Sequence, residues 1–319
     1  MGKIIVLDKC TLHFENDVRF DAFDRLGEVE FYDLLDSSEV IAVSKDAVAI
    51  FCNKTLITKE IMESCPKLRY IGIFATGYNN MDLEAAGKLG ISVANVPSYS
   101  TSAVAQTVFS YILNFATSLD KYDTSTKNGD WIKSRTFSYF PFPITELEGK
   151  TLGIFGFGSI GRRVADIGNA FGMKVIVYTR TKKEAKGIRY VSKEALFSES
   201  DFLTIHCPLT PETENLICKD TLSLMKPTAF LINTARGGVV CENDLKEALE
   251  NGVIKGAAVD VLRYEPMRSD CPLYSAKNIT ITPHVAWAAK ETRQRLVDKA
   301  ADSYRQFLSG NPINIVNKL

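Results

Sequence analysis

The chain has 319 residues, 45% of them hydrophobic and 24% charged, and its 38 Lys and Arg balance 38 Asp and Glu. That length suits two domains, and zero formal net charge argues against nucleic acid or an anionic membrane as the main partner, since both reward a basic excess. Seven scattered cysteines (Cys10, Cys52, Cys65, Cys207, Cys218, Cys241 and Cys271) with no C-x-x-C pair argue against a disulfide framework and against a metal site.

The chain opens on the strand candidate 4–7 with no signal-peptide pattern, and no apolar run approaches the length of a membrane span, so a cytoplasmic protein is expected. Further strand candidates follow at 48–52, 70–74 and 91–94. A long helix is expected over 101–120, opened by Ser100, Thr101 and Ser102. A polar and aromatic connector with one or two short helices is expected over 121–148. Strand candidates then resume at 151–155, 174–178, 202–206, 230–232, 257–261 and 279–282. A charged helix over 290–308, stopped at Gly310 and Pro312, closes the chain. Short Val-, Ile- and Phe-rich runs separated by helix-length spacers predict an α/β chain with two doubly wound parallel-sheet lobes.

Gly156-Phe157-Gly158-Ser159-Ile160-Gly161 follows the strand candidate 151–155 and precedes a helix expected over 162–171. In that context G-x-G-x-x-G predicts a dinucleotide site. Gly156 permits the tight turn, Gly158 lets the backbone approach a pyrophosphate, and Gly161 lets the helix lie close to the strand. The phosphates would meet free N–H groups at the helix N-terminus. At the end of the next strand stand Thr179, Arg180 and Thr181, where an NAD site usually places a carboxylate for the ribose 2′-hydroxyl. A guanidinium and a hydroxyl would instead hold a 2′-phosphate, so NADP is favoured over NAD. The plainer alternative is a solvated basic turn.

The chain has three histidines, His13, His206 and His284. Reducing a carbonyl needs a proton donor, for which histidine is suited. His206 and His284 both follow strand candidates, at the sheet edge where α/β proteins collect ligands. Spacing alone leaves both open. Arg236, in Asn233-Thr234-Ala235-Arg236-Gly237-Gly238, follows another strand and could grip a carboxylate with two parallel hydrogen bonds. Glu265 follows a further strand end and could stabilise a charged histidine.

With these residues in view, the chain resembles the D-isomer-specific 2-hydroxyacid dehydrogenases along nearly its whole length. The matching segments are Ala75-Thr76-Gly77-Tyr78-Asn79, Asn95-Val96-Pro97-Ser98-Tyr99-Ser100-Thr101, the glycine turn, Cys207-Pro208-Leu209-Thr210-Pro211-Glu212-Thr213, the run 233–238, Val259-Asp260-Val261 and Thr282-Pro283-His284. The resemblance implies a Rossmann dinucleotide-binding domain, 99–288, inserted into a flavodoxin-like substrate domain, 1–98 with 289–319. It makes His284 the acid/base, Glu265 its orienting partner and Arg236 the group that binds the substrate carboxylate. It places Thr76 and Gly77 backbone N–H groups, with Ala75 and Asn53, at the substrate. It gives Asp260 the nicotinamide amide, and lines the rest of the cofactor with His206, Cys207, Pro208, Thr213, Thr234 and Ala235.

Within the family, Asn53-Lys54-Thr55, 75–79 and His284-Val285-Ala286-Trp287 look most like glycerate dehydrogenases, that is, hydroxypyruvate reductases. The expected reaction is hydroxypyruvate to D-glycerate, with glyoxylate as a second substrate. Trp287 would face the substrate side chain or pack within the protein. A homodimer is expected, in which Trp131 of the connector either reaches into the partner subunit's cleft, as the resemblance implies, or stands as a surface or interface aromatic. The alternatives are another 2-oxoacid reductase of D-lactate, phosphoglycerate or branched-chain type, and a cofactor-sensing binding module akin to a corepressor.

Overall fold

The computed structural model describes residues Gly2–Lys318. The chain forms two compact units: the residues up to Ser100 together with those from Ala288 onward, and Thr101–Trp287 between them.

The first unit holds five strands, β1 (Lys3–Val6), β2 (Glu28–Phe31), β3 (Ala47–Cys52), β4 (Tyr70–Ile73) and β5 (Ser92–Ala94). All pair in parallel, in the order β2-β1-β3-β4-β5, the flavodoxin-like arrangement. A parallel sheet is covered on both faces, which is why its strands are continuous apolar runs. On one face Ile5, Ile50, Cys52 and Ile71 pack with Val40, Ile61, Met62, Ala85 and Ala86 from the crossover helices Ser37–Ser44, Lys59–Glu63 and Leu83–Lys88. On the other face Phe51 and Tyr70 meet the returning helix Lys290–Leu308, with ring centroids 5.6 Å (Phe51–Tyr304) and 4.9 Å (Tyr70–Tyr304) apart. Leu296, Val297, Ala300, Ala301 and Tyr304 recur at helical spacing and are buried, each larger side chain contributing roughly 1.5–3 kcal/mol.

The second unit holds β6 (Thr151–Phe155), β7 (Lys174–Tyr178), β8 (Ile188–Tyr190), β9 (Phe202–Ile205), β10 (Phe230–Asn233), β11 (Gly256–Val259) and β12 (Ile279–Ile281). They pair in parallel in the order β12-β11-β10-β9-β6-β7-β8. The order reverses at β6, where the first strand of the unit lies between β7 and β9. In such doubly wound sheets ligands bind outside the carboxyl strand ends at this reversal. The helices Thr101–Thr117 and Ser159–Ala170 cover one face through Val108, Ile112, Val164 and Ala165. The helices Lys193–Glu199, Lys219–Ser223 and Glu242–Glu250 cover the other through Leu196, Phe197, Leu222, Leu245 and Leu249.

The two doubly wound parallel sheets agree with the sequence reading, but four elements differ from it. β2 and β8 were not expected: both lie at sheet edges and carry charge, as Glu28-Val29-Glu30 and Arg189. The helix expected over 101–120 stops at Thr117, because Ser118 takes a left-handed conformation (φ 52°) and a second helix, Leu119–Lys127, begins after it. The helix after the glycine turn starts at Ser159, three residues earlier than expected.

Candidate active site

The glycine turn has the conformation that its sequence demands. Gly156 has φ +96°, in the left-handed region, and a Cβ there would stand 2.7 Å from the carbonyl oxygen of His206. A Cβ on Gly161 would collide with the Gly156 carbonyl oxygen. Gly158 differs, since a Cβ on it would meet nothing within 4 Å. It opens the helix Ser159–Ala170 with no side chain capping the first N–H groups. First-turn N–H donors that no side chain at the helix start caps suit a phosphate. The buried hydroxyl of Thr234, at the carboxyl end of β10, has no hydrogen-bond partner. A buried orphan hydroxyl is a costly feature that a bound polar ligand relieves. These residues fit a nicotinamide dinucleotide.

His284 and Glu265 come together in the same unit. Glu265 Oε2 lies 2.7 Å from His284 Nδ1, and Glu265 Oε1 accepts from the Leu262 backbone N–H at 3.0 Å. The carboxylate accepts only, so Nδ1 carries a proton and Nε2 is left for proton exchange. His284 has φ +55°, a conformation that costs of order 1–3 kcal/mol and persists only where its surroundings enforce it. Asp260 provides the enforcement. Its backbone carbonyl accepts from the His284 N–H (2.8 Å), and its carboxylate accepts from the N–H groups of Val285 (2.9 Å) and Ala286 (2.8 Å). Thr282 Oγ1 donates to the same carboxylate at 2.5 Å and is itself hydrogen-bonded to the Tyr111 hydroxyl. The part of Asp260 visible in this geometry is holding the His284 loop. Trp287 Nε1 donates to the His284 carbonyl at 3.0 Å.

Arg236 follows β10 on a turn fixed by buried Asn233, whose side chain accepts from the Ala235 N–H and donates to the Arg236 carbonyl, both at 3.0 Å. The guanidinium donates to the Ala235 carbonyl, and among the described residues no carboxylate pairs with it. A half-buried cation left in this way can take a ligand carboxylate.

His206, Cys207, Pro208 and Thr213 lie on the segment after β9. The His206 ring sits 3.0 Å from Thr204 Oγ1, and burial lowers its pKa to about 3, so it is neutral at physiological pH. Thr213 Oγ1 donates to the Pro208 carbonyl at 2.7 Å and closes the turn. Burial raises the Cys207 thiol to about 11, partly opposed by the charge of Arg180. The Glu212 carboxyl is lowered by the Thr210 hydroxyl and also by Arg180. Exposed Arg180 follows the end of β7, near enough for its charge to act on Cys207 and Glu212, and Thr179 and Thr181 flank it in sequence.

In the first unit, Ala75, Thr76 and Gly77 follow β4. Thr76 Oγ1 donates to the Val96 carbonyl (2.9 Å), and the Asn95 side chain donates to the Thr76 carbonyl (2.7 Å). Asn53 is buried on the loop after β3. Its backbone N–H donates to Asp8 at 2.9 Å, and the N–H groups of Lys54 (2.8 Å) and Thr55 (2.7 Å) go to the same carboxylate. Asp8 was not expected from the sequence, although an acid ending the apolar run 4–7 is a signal of a fixed loop. Tyr111 and Leu262 likewise act on the site through the fold and carry no local signature. Among the described residues no group of three or more His, Cys, Asp or Glu is placed to hold a metal ion, and no helix is long and apolar enough to cross a membrane.

Residues 109–286 match the family model described as D-isomer specific 2-hydroxyacid dehydrogenase, NAD binding domain. A hydroxypyruvate reductase of Blautia hydrogenotrophica is 39% identical, over 99% of this chain and 100% of its own. Among solved structures, an acyclic imino acid reductase in complex with NADPH and D-Arg is similar with a TM-score of 0.86 at 32% identity, covering 98% of this chain and 99% of that one. A D-lactate dehydrogenase from Aquifex aeolicus, complexed with NAD and lactic acid, has a TM-score of 0.82 at 31% identity, covering 97% and 96%. The chain belongs to the D-isomer specific 2-hydroxyacid dehydrogenases, oxidoreductases that use a nicotinamide cofactor on the CH–OH group of a small 2-hydroxyacid.

Proposed function

We propose that the protein reduces hydroxypyruvate to D-glycerate with NADPH, takes glyoxylate as a second substrate, and works as a homodimer. The observation that carries the chemistry is the Glu265–His284 pair at 2.7 Å on the same sheet edge as Arg236. Full-length similarity to a hydroxypyruvate reductase supports the substrate. Arg180 supports NADPH: it is an exposed cation after the end of β7, and no carboxylate stands at Thr179–Thr181 to repel a 2′-phosphate.

Arg236 would hold the substrate carboxylate through two parallel hydrogen bonds and polarise the adjacent carbonyl. The family resemblance adds the N–H groups of Thr76 and Gly77, with Ala75 and Asn53, as substrate contacts, and Trp287 would bound the substrate side chain. The cofactor would be held by Gly156, Gly158, Ser159, Ile160 and Gly161 at its pyrophosphate, and by Thr234, Ala235 and Asp260 towards its nicotinamide. When bound, it supplies the hydride that adds to C2. His284 Nε2 then gives its proton to the carbonyl oxygen, and Glu265 keeps the ring oriented and compensates its charge. In the oxidative direction the same nitrogen takes the proton back.

Steady-state kinetics on hydroxypyruvate, glyoxylate, pyruvate and a branched 2-oxoacid, each with NADPH and NADH, test the proposal. Hydroxypyruvate with NADPH should give the highest kcat/KM. A clear preference for pyruvate or the branched acid overturns the substrate, and a strong NADH preference overturns the role of Arg180. His284→Ala should lose about a hundred- to ten-thousand-fold in turnover with NADPH binding near normal. Near-normal turnover in that variant would sink the acid/base assignment.

A further inference from the structure

Glu265 is exposed and stands on a loop, yet it must hold His284 within hydrogen-bond distance. Side chains on loops are held precisely only where the surrounding backbone is fixed. The loop is fixed at three points. The Arg263 N–H donates to Glu242 Oε1 at 2.8 Å, which ties the loop to the start of the helix Glu242–Glu250. The Arg263 guanidinium donates to Glu214 Oε1 at 3.2 Å and to Asn215 Oδ1 at 2.6 Å. Gly237, one residue after Arg236, lies so close that a Cβ on it would collide with the Leu262 carbonyl.

Asn215 is itself well anchored. It has φ 49°, and its N–H donates to the Gly238 carbonyl at 2.9 Å. It directly follows the turn closed by Thr213. Arg263 thus joins the end of the 207–213 segment to the loop that carries Glu265, using a fork of donors that a shorter or single-headed cation does not reproduce.

We propose that Arg263 is a positioning residue for the Glu265–His284 pair, fixing the 262–265 loop against Glu214 and Asn215 so that the carboxylate meets His284 Nδ1. The proposal rests on the acid/base reading of that pair. Arg263 touches no reacting atom; it acts through Glu265.

A double-mutant cycle of Arg263→Ala and Glu265→Gln tests it, with kcat, the KM values for NADPH and 2-oxoacid, the pH profile and thermal unfolding read for each variant. Arg263→Ala should lower kcat about 10- to 100-fold, the range of a small misplacement of a reacting group. Both KM values should stay within about twofold, and the pH profile of kcat should change shape, which a uniform loss of folded enzyme does not produce. Arg263→Lys, restoring one of the two contacts, should recover part of the loss. In the Glu265→Gln background Arg263→Ala should cost almost nothing more, because both act on one group. Independent, additive losses overturn the proposal, as does unchanged kcat with a raised NADPH KM, which would confine Arg263 to the 214–215 turn. Wild-type rates and pH profile in Glu265→Gln alone would instead overturn the acid/base reading.

Discussion

His206 and His284 both end strands of one sheet, and their surroundings give them opposite work. His284 has a carboxylate at 2.7 Å, whereas His206 is partly buried and has a neutral hydroxyl at 3.0 Å. Spacing in the sequence left the two equivalent because the deciding partner of His284 lies 19 residues away on another strand end. The His206 pKa, lowered from 6.5 to about 3 by burial, has a consequence for stability. Between those values the unfolded imidazole binds a proton that the folded one does not, so stability rises with pH across that window and levels off above it. As pH falls from 7 towards 4, the protein should lose stability more steeply than His206→Gln does, when thermal unfolding of both is followed. Parallel curves would show that the folded His206 titrates like an exposed one.

At the scale of elements, the proposed cofactor site depends on the junction of β6 with the helix Ser159–Ala170. The helix can approach only because position 161 has no side chain, since a Cβ would press into the Gly156 carbonyl oxygen. Gly161→Ala should push the helix away, costing about 1–3 kcal/mol as overpacking does. It should also weaken NADPH binding well beyond its effect on melting temperature, as measured by cofactor fluorescence titration and thermal unfolding. Unchanged NADPH affinity would mean that the helix N-terminus does not hold the phosphates.

The central strands were legible because burial on both faces makes each an unbroken apolar run, as in Phe202–Ile205. β2 and β8 were not, since an edge strand has one neighbour and tolerates Glu28, Glu30 and Arg189. The stop at Ser118 was hidden because neither Gly nor Pro marks it. The same division applies to the site. Glycines, Arg236 and His284 are visible as local motifs. Asp8 and Arg263 act on segments more than 40 residues away, through contacts that exist only once the sheets have formed.

At the scale of the whole molecule, the connector after Leu119–Lys127 is the surface that most needs a partner. Ile132, Phe137 and Phe140 are 88%, 91% and 78% exposed, and Trp131 and Ile144 stand open beside them in the same segment. Large apolar side chains gathered on one segment cost more in water than scattered ones, and such groups are enriched where subunits meet. Within the segment, Trp131 Nε1 donates to the Phe137 carbonyl at 3.1 Å, and the Tyr122 hydroxyl donates to the Phe142 carbonyl at 2.7 Å. An exposed apolar segment of this kind suits a two-fold contact in which each copy presents the same surface to the other. Light scattering should therefore give twice the 35.4 kDa chain mass for the wild type. Ile132→Asp with Phe137→Asp should shift it to the single-chain mass, because two carboxylates from each chain would be buried unpaired in the contact. Neither side chain belongs to either sheet's core, so thermal unfolding of the separated chains should retain a cooperative transition. A wild-type mass of one chain, or an unchanged dimer in the double variant, would remove the connector as the contact surface.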